Sequence, residues 1–132
     1  MNYWLVKSEP GTYSWADFLK EKKTTWDGVR NYAARIHLRS MKRGDSVLFY
    51  HSGDDRCIKG TAIVSKEAFP DVKDNEWSAV ELTLGEAFGK DVTLADVKAA
   101  KELSQMALVR ISRLSVQPVT ESEYRLIIKM SK

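Results

Sequence analysis

Tyr3-Trp4-Leu5-Val6-Lys7-Ser8-Glu9-Pro10 opens the chain as an apolar, β-favouring run that stops in polar residues and a proline. Residues 2–7 alternate in polarity and predict a first strand. Pro10 cannot donate to a ladder, so pairing ends there and Ser8 and Glu9 are released to turn outward. Two further strings follow the same plan, Trp26-Asp27-Gly28-Val29-Arg30-Asn31 and Leu48-Phe49-Tyr50-His51-Ser52. Each closes a hydrophobic run with polar and aromatic side chains, the materials of a pocket for a flat, hydrogen-bonding ligand.

Working outward, Ser14-Trp15-Ala16-Asp17 carries an acid three residues after a serine, which predicts a short helix over 14–20. Val29, Tyr32, Ala33 and Ile36 fall at i, i+3, i+4 and i+7, predicting a helix over 28–40 with Arg30, Asn31, Arg35 and His37 on its other face. Lys42-Arg43-Gly44-Asp45 is a turn in which Gly44 can take a positive φ. Residues 46–50 and 57–67 predict a hairpin, with Gly60 as a bulge. A long strand is expected over 77–88, a short helix from Thr93-Leu94-Ala95-Asp96, a strand over 107–111 and a last helix opening at Pro118. Strands interspersed with short helices predict an α+β fold, a small curved mixed sheet or barrel of five to six strands with short surrounding helices. Periodicity alone fits a barrel and an open sheet equally. No linker, repeat or low-complexity stretch divides the 132 residues, so one domain over 1–132 is expected.

Hydrophobic (43%) and charged (30%) fractions are those of an ordinary globular chain. No apolar run reaches membrane-spanning length and the start lacks a signal pattern, so no membrane partner is expected. Cys57 is the lone cysteine; no internal disulfide can form, and a reducing, cytoplasmic setting is expected. The net charge of +3 is mild. Its distribution is more telling: Arg30, Arg35, Arg39, Lys42 and Arg43 put five cations into fourteen residues with no acid between them.

Among single residues, Trp26 is the candidate stacking platform, read as leaving the chain at a helix N-terminus. The competing role is an ordinary core tryptophan. Lys7 offers a cation, Ser8 a hydroxyl and Glu9 a carboxylate at the first strand end. Asn31, His51 and Ser52 offer further hydrogen bonds, and His51 is equally a satisfied structural histidine. Trp77 is a second aromatic wall or a core residue. Arg30, Arg35 and Arg113 are candidates for phosphates, or ordinary surface charge. His37, His51 and Cys57 show no zinc spacing, and the glycines form no phosphate loop, so neither a metal nor a cofactor is expected.

The strings above, with Met41-Lys42-Arg43-Gly44-Asp45, Ile58-Lys59-Gly60-Thr61-Ala62, Phe69-Pro70-Asp71, Met106-Ala107-Leu108-Val109-Arg110 and Arg113-Leu114-Ser115-Val116, closely resemble the EVE domain family along essentially the whole chain. The resemblance implies a PUA-like fold related to YTH and ASCH domains, with a pocket near the first strand end and the Trp26 loop. It further implies a modified base as ligand. Lys7-Ser8 is similar to the Lys-Ser string of the YTH cage, and Trp26 to its first tryptophan. Asp27-Gly28 and Glu9-Pro10 depart from the YTH pattern, so the base read there does not transfer.

Three functions follow. The leading one is a non-catalytic reader of a modified nucleobase in DNA or RNA. The second is a small amidohydrolase on modified nucleosides using Lys7, Ser8 and Glu9. Adjacent strand residues point to opposite faces, which sets Lys7 against Ser8 in that reading. The third is a protein-interaction module anchored by Trp26 and Trp77.

Overall fold

The computed structural model describes residues 1–132. Strand β1 (Tyr3–Ser8) leads into α1 (Trp15–Glu21), β2 (Lys23–Trp26) and α2 (Tyr32–Ser40). Then come β3 (Ser46–His51) and two long strands, β4 (Cys57–Pro70) and β5 (Ser78–Thr93). Helix α3 (Leu94–Ala99), a 3-10 turn at Lys101–Leu103, α4 (Ala107–Arg110), β6 (Val116–Val119) and α5 (Glu121–Met130) complete the chain. The six strands make one mixed sheet in the order β2-β5-β4-β3-β1-β6, in which only β1 and β3 run parallel. A six-stranded curved sheet with short helices is the PUA-like α+β fold expected from the resemblance.

The parallel pair explains its own sequence. Both faces of β1 and β3 are covered, so each is apolar nearly throughout. Trp4, Val6, Val47 and Phe49 enter one core, whereas Leu5, Leu48 and Tyr50 enter the other. The first core is aromatic: the rings of Trp15, Phe18 and Trp26 lie 5.1, 5.4 and 5.5 Å from that of Phe49. The buried Asp45 pins this region to the turn before β3. Its carboxylate accepts the Asn2 N–H, the Trp4 indole N–H and the Lys42 N–H at 2.9–3.0 Å. Gly44 has a φ of 95°, as expected for that turn.

The capping signals are fulfilled. Ser14 with Asp17 starts α1 and Thr93 with Asp96 starts α3; the last helix is capped in the same way by Thr120 with Glu123 and so starts at Glu121, not at Pro118, which lies in β6. Gly60 marks a bulge, since the β3–β4 register shifts beside it. A Cβ there would sit 2.5 Å from the Trp15 ring and 2.6 Å from the Glu86 carbonyl, so the indole lies directly on bare backbone.

Four expectations are corrected. Residues 23–26 form a strand that was not foreseen, hydrogen-bonded to β5. The second helix starts at Tyr32, not Gly28: Gly28 has a φ of 75°, and the Asn31 side chain caps the helix by accepting the Ala34 N–H. Its buried residues are Ala34 and Leu38, while Tyr32 (68%) and Ile36 (61%) are exposed. Counting Val29 as helical had rotated the stripe. Residues 107–111 are a helical turn, not a strand, with Leu108 buried beside Leu103 and Met106. The last strand is instead Val116–Val119, where Pro118 is tolerated because β6 is an edge.

Gly60→Ala is expected to destabilise the fold by about 1–3 kcal/mol, because neither the indole nor the carbonyl beneath it can give way easily. The midpoint of urea unfolding measures this; an unchanged midpoint would show that Trp15 does not rest on β4.

Candidate functional site

The end of β1 and the loop after β2 face one another across a cleft of about 570 Å³. Lys7, Ser8 and Glu9 line one side and Thr24 to Arg30 the other, with Thr12, Tyr13, Glu21 and Ser115 completing the wall. β1 ends where foreseen, and the Ser8 carbonyl accepts the Ser52 N–H. The Ser8 hydroxyl donates to the Tyr13 carbonyl. That bond folds residues 9–13 back so that the Tyr13 ring stands over the cleft. Tyr13 packs edge-on against Trp26 at 6.2 Å, and its hydroxyl donates to Glu21 at 2.7 Å. Burial, together with the Glu21 carboxylate, pushes its phenol up to about 12, so it remains a neutral donor.

The opposite wall is held from behind by Asp71, whose side chain is fully buried. Its Oδ2 accepts the Gly28 N–H at 2.9 Å and an Arg30 N–H at 3.0 Å, and its Oδ1 accepts the Lys73 N–H at 2.9 Å. These bonds, led by the Gly28 amide, hold its carboxyl below the usual range. The positive φ of Gly28 aims that amide at Asp71, so the loop is fastened through its backbone. Sequence reading placed Asp71 only within a family string, not at the site. The Pro70-Asp71 turn after a long strand was the available signal.

Five of the sequence-nominated residues therefore share the cleft: Lys7, Ser8, Glu9, Trp26 and Arg30. Trp26 sits at the end of β2, not at a helix N-terminus, and is only 9% exposed. It belongs to the core and borders the cleft at once. Lys7 lies opposite Tyr50 in the ladder, and its Nζ donates to the Ser112 carbonyl at 2.7 Å; burial lowers its pKa.

The other nominated residues do not line the cleft. Asn31 caps α2. His51 is buried; its Nε2 accepts the Trp15 N–H at 2.8 Å and its Nδ1 pairs with Asp55 at 2.9 Å, which makes it a structural cap for α1. Ser52 donates its backbone N–H to β1. Arg113 stands on the exposed turn beside Ser112. Trp77 packs on neither Val80 nor the cleft; it pairs with Tyr32 at 5.2 Å, with Arg35 5.1 Å and Arg30 5.6 Å from its ring. Sequence reading missed Thr24, Thr25 and Asp27 because β2 was not recognised, and Tyr13 and Glu21 because they lie at the two ends of α1, whose place beside the cleft no local pattern announces.

Chemically the cleft combines aromatic edges with the carboxylates of Glu9, Glu21 and Asp27, against the two cations Lys7 and Arg30. That balance suits a neutral ligand with hydrogen-bond donors better than a phosphate.

Residues 2–130 match the EVE domain family, and the chain belongs to it. A protein from Rhodopseudomonas palustris, solved by NMR, is similar at 42% identity and a TM-score of 0.95, over 99% of this chain and 93% of that one. Human thymocyte nuclear protein 1 is 32% identical, over 99% of this chain and 74% of its own length. The human protein in complex with 5-methylcytosine-containing DNA superimposes with a TM-score of 0.93, at 30% identity, over 100% of this chain and 98% of that one. Likeness to an ASCH protein from Zymomonas mobilis, at 10% identity and a TM-score of 0.57 over 98% of this chain and 95% of that one, extends to the fold alone.

Asp71→Ala strands the Gly28 amide and the Arg30 guanidinium, and a loss of about 1–3 kcal/mol is expected at neutral pH. Because the folded carboxyl lies below its ordinary value near 3.8, its contribution is present above that value and is lost as pH falls through the folded one. Urea titrations from pH 7 downward are expected to show the wild-type advantage shrinking only below about pH 4. An advantage independent of pH would contradict this.

Proposed function

We propose that this EVE-domain chain is a reader that takes one modified base of a nucleic acid, in the first instance DNA, into the cleft between Ser8-Glu9 and the Trp26–Arg30 loop, and performs no chemistry on it. The observation that carries the reading is the joining of a carboxylate-lined, aromatic-backed cleft from segments far apart in sequence. The complex of the human relative with 5-methylcytosine-containing DNA supports it.

The cleft lies within the roughly 300–1,000 Å³ usual for small-ligand sites. A base must leave its stack to enter. Exocyclic amino groups such as that of cytosine are donors, and the carboxylates of Glu9, Glu21 and Asp27 are the acceptors that suit them. Trp26 and Tyr13 supply ring edges against which a methyl group is buried, a gain of about 0.8 kcal/mol per group. Arg30 stands at the rim, where a flanking phosphate would pass.

Two bonds disfavour the hydrolase. The Ser8 proton is committed to a carbonyl, and Lys7 is turned toward Ser112 and Tyr50. A nucleophile and its base would need to face each other, and these do not.

The test is equilibrium binding of short oligonucleotides differing only by one 5-methyl group on cytosine. A preference of roughly fourfold for the methylated strand is expected from the area buried. Trp26→Phe, which spares the core better than alanine, is expected to weaken binding while leaving the melting temperature within a few degrees. Nucleosides incubated with the protein are expected to stay intact. Turnover abolished by Lys7→Ala or Glu9→Gln would replace the reader with the hydrolase.

A further inference from the structure

Outside the cleft, the largest exposed aromatic surface is on α2. Tyr32, the first residue of that helix, is 68% exposed, and Ile36 one turn on is 61% exposed. Four residues apart on one helix, the two side chains are neighbours on its surface. Tyr32 is nevertheless not loose. Its ring lies 5.2 Å from that of Trp77, and the Arg35 guanidinium lies 4.9 Å from Tyr32 and 5.1 Å from Trp77. Arg35 is itself anchored, donating to the Glu76 carbonyl at 2.7 Å. Arg39 fastens the same loop through Ser78 at 2.8 Å and Glu76 at 3.2 Å. The β4–β5 loop and α2 therefore hold an aromatic ring in a fixed orientation with a large part of it facing solvent.

This surface is continuous with the cleft. Arg30 lines the cleft and also lies 5.6 Å from the Trp77 ring. Asp71 binds Arg30 and, through its own amide, the Trp77 carbonyl at 2.9 Å. Arg30, Arg35, Arg39, Lys42 and Arg43 run along α2 and its flanks with no acid between them, facing a β4–β5 loop that carries Asp71, paired with Arg30, and Asp74 and Glu76.

From these placements we propose that Tyr32, braced by Trp77 and Arg35, is a second stacking platform that carries a nucleotide flanking the base in the cleft. The inference rests on the reader function and extends it from one base to a stretch of strand. An aromatic face binds any base, whereas the cleft selects one, so the platform adds affinity without sequence preference. The positive run of α2 supplies the attraction for the phosphates between the two. Arg35, nominated from sequence for phosphate, is in this account a positioning residue that orients the ring.

Three ligands separate the possibilities: an unmodified single-stranded DNA oligonucleotide, the same strand with one 5-methylcytosine, and the free 5-methylcytosine nucleoside. Tyr32→Ala is expected to weaken both strands by roughly tenfold or more, the range of one base stacked on an aromatic ring. Tyr32→Phe is expected to retain wild-type binding within about twofold, because the ring and not the hydroxyl stacks. The ratio between the two strands and the affinity for the nucleoside are expected to stay unchanged in both variants. Unchanged strand affinity in Tyr32→Ala overturns the platform, as does a wild type that binds no strand. Loss of strand affinity without any preference for the modified base would support the platform while overturning the base-reading cleft.

Discussion

The buried carboxylate of Asp71 is the constraint on which the recognition surface depends. It gathers the Gly28 amide, the Arg30 guanidinium and the Lys73 amide onto two oxygens, and its own amide reaches the Trp77 carbonyl. Two loops that carry no regular structure are thereby made into one piece. Without those bonds the chain between β2 and α2 would have a glycine at positive φ and no reason to hold it. A carboxylate in such a place is stable because both of its oxygens meet donors, three in all, and two of the donors are rigid backbone.

Behind that junction stands the aromatic core on Phe49. Trp15, Phe18 and Trp26 converge on it from α1 and β2, with Tyr13 at 6.4 Å filling the side toward the cleft. The cleft thus inherits its apolar wall from the core, and the same ring that stabilises the fold is offered at its edge to a ligand. The polar wall comes from interrupted pairing, where β1 stops at Ser8 and Pro10 follows. Core and cleft are thus built in part from the same residues, Trp26 and Tyr13 among them.

Much of this was legible in the sequence. The starts of α1 and α3 were announced by a hydroxyl with an acid three residues on, and the β3–β4 hairpin by its apolar runs and the bulge at Gly60. The joining of Lys7-Ser8-Glu9 with the Trp26 loop was anticipated from the polar endings of apolar runs, but His51-Ser52, expected in the same cavity, lies outside it. What failed did so for physical reasons. Lys23 to Trp26 is too short and too polar to show a strand period, so β2 was invisible and Trp26 was placed at the N-terminus of a helix that starts six residues later, at Tyr32. The stripe through Tyr32 and Ile36 has helical spacing but faces water, since periodicity records a face and not what covers it. His51 carries recognisable chemistry, yet the Trp15 amide uses its ring nitrogen, a contact across 36 residues that no local pattern announces. Asp71 was overlooked because a single acid in a turn looks like any other until its partners are seen.

The central claim, that one modified base occupies the cleft, is tested most directly by titrating isotopically labelled protein with 5-methyl-2′-deoxycytidine and following the amide and indole resonances. The account requires the largest shifts at the Trp26 indole, the Gly28 and Arg30 amides and the Ser8-Glu9 strand end, with Trp15 and the residues of α5 unmoved. Shifts centred instead on a separate concavity of the surface, lined by Tyr3 and by Tyr124, Ile128 and Lys129 of α5, or none at saturating nucleoside, would contradict it.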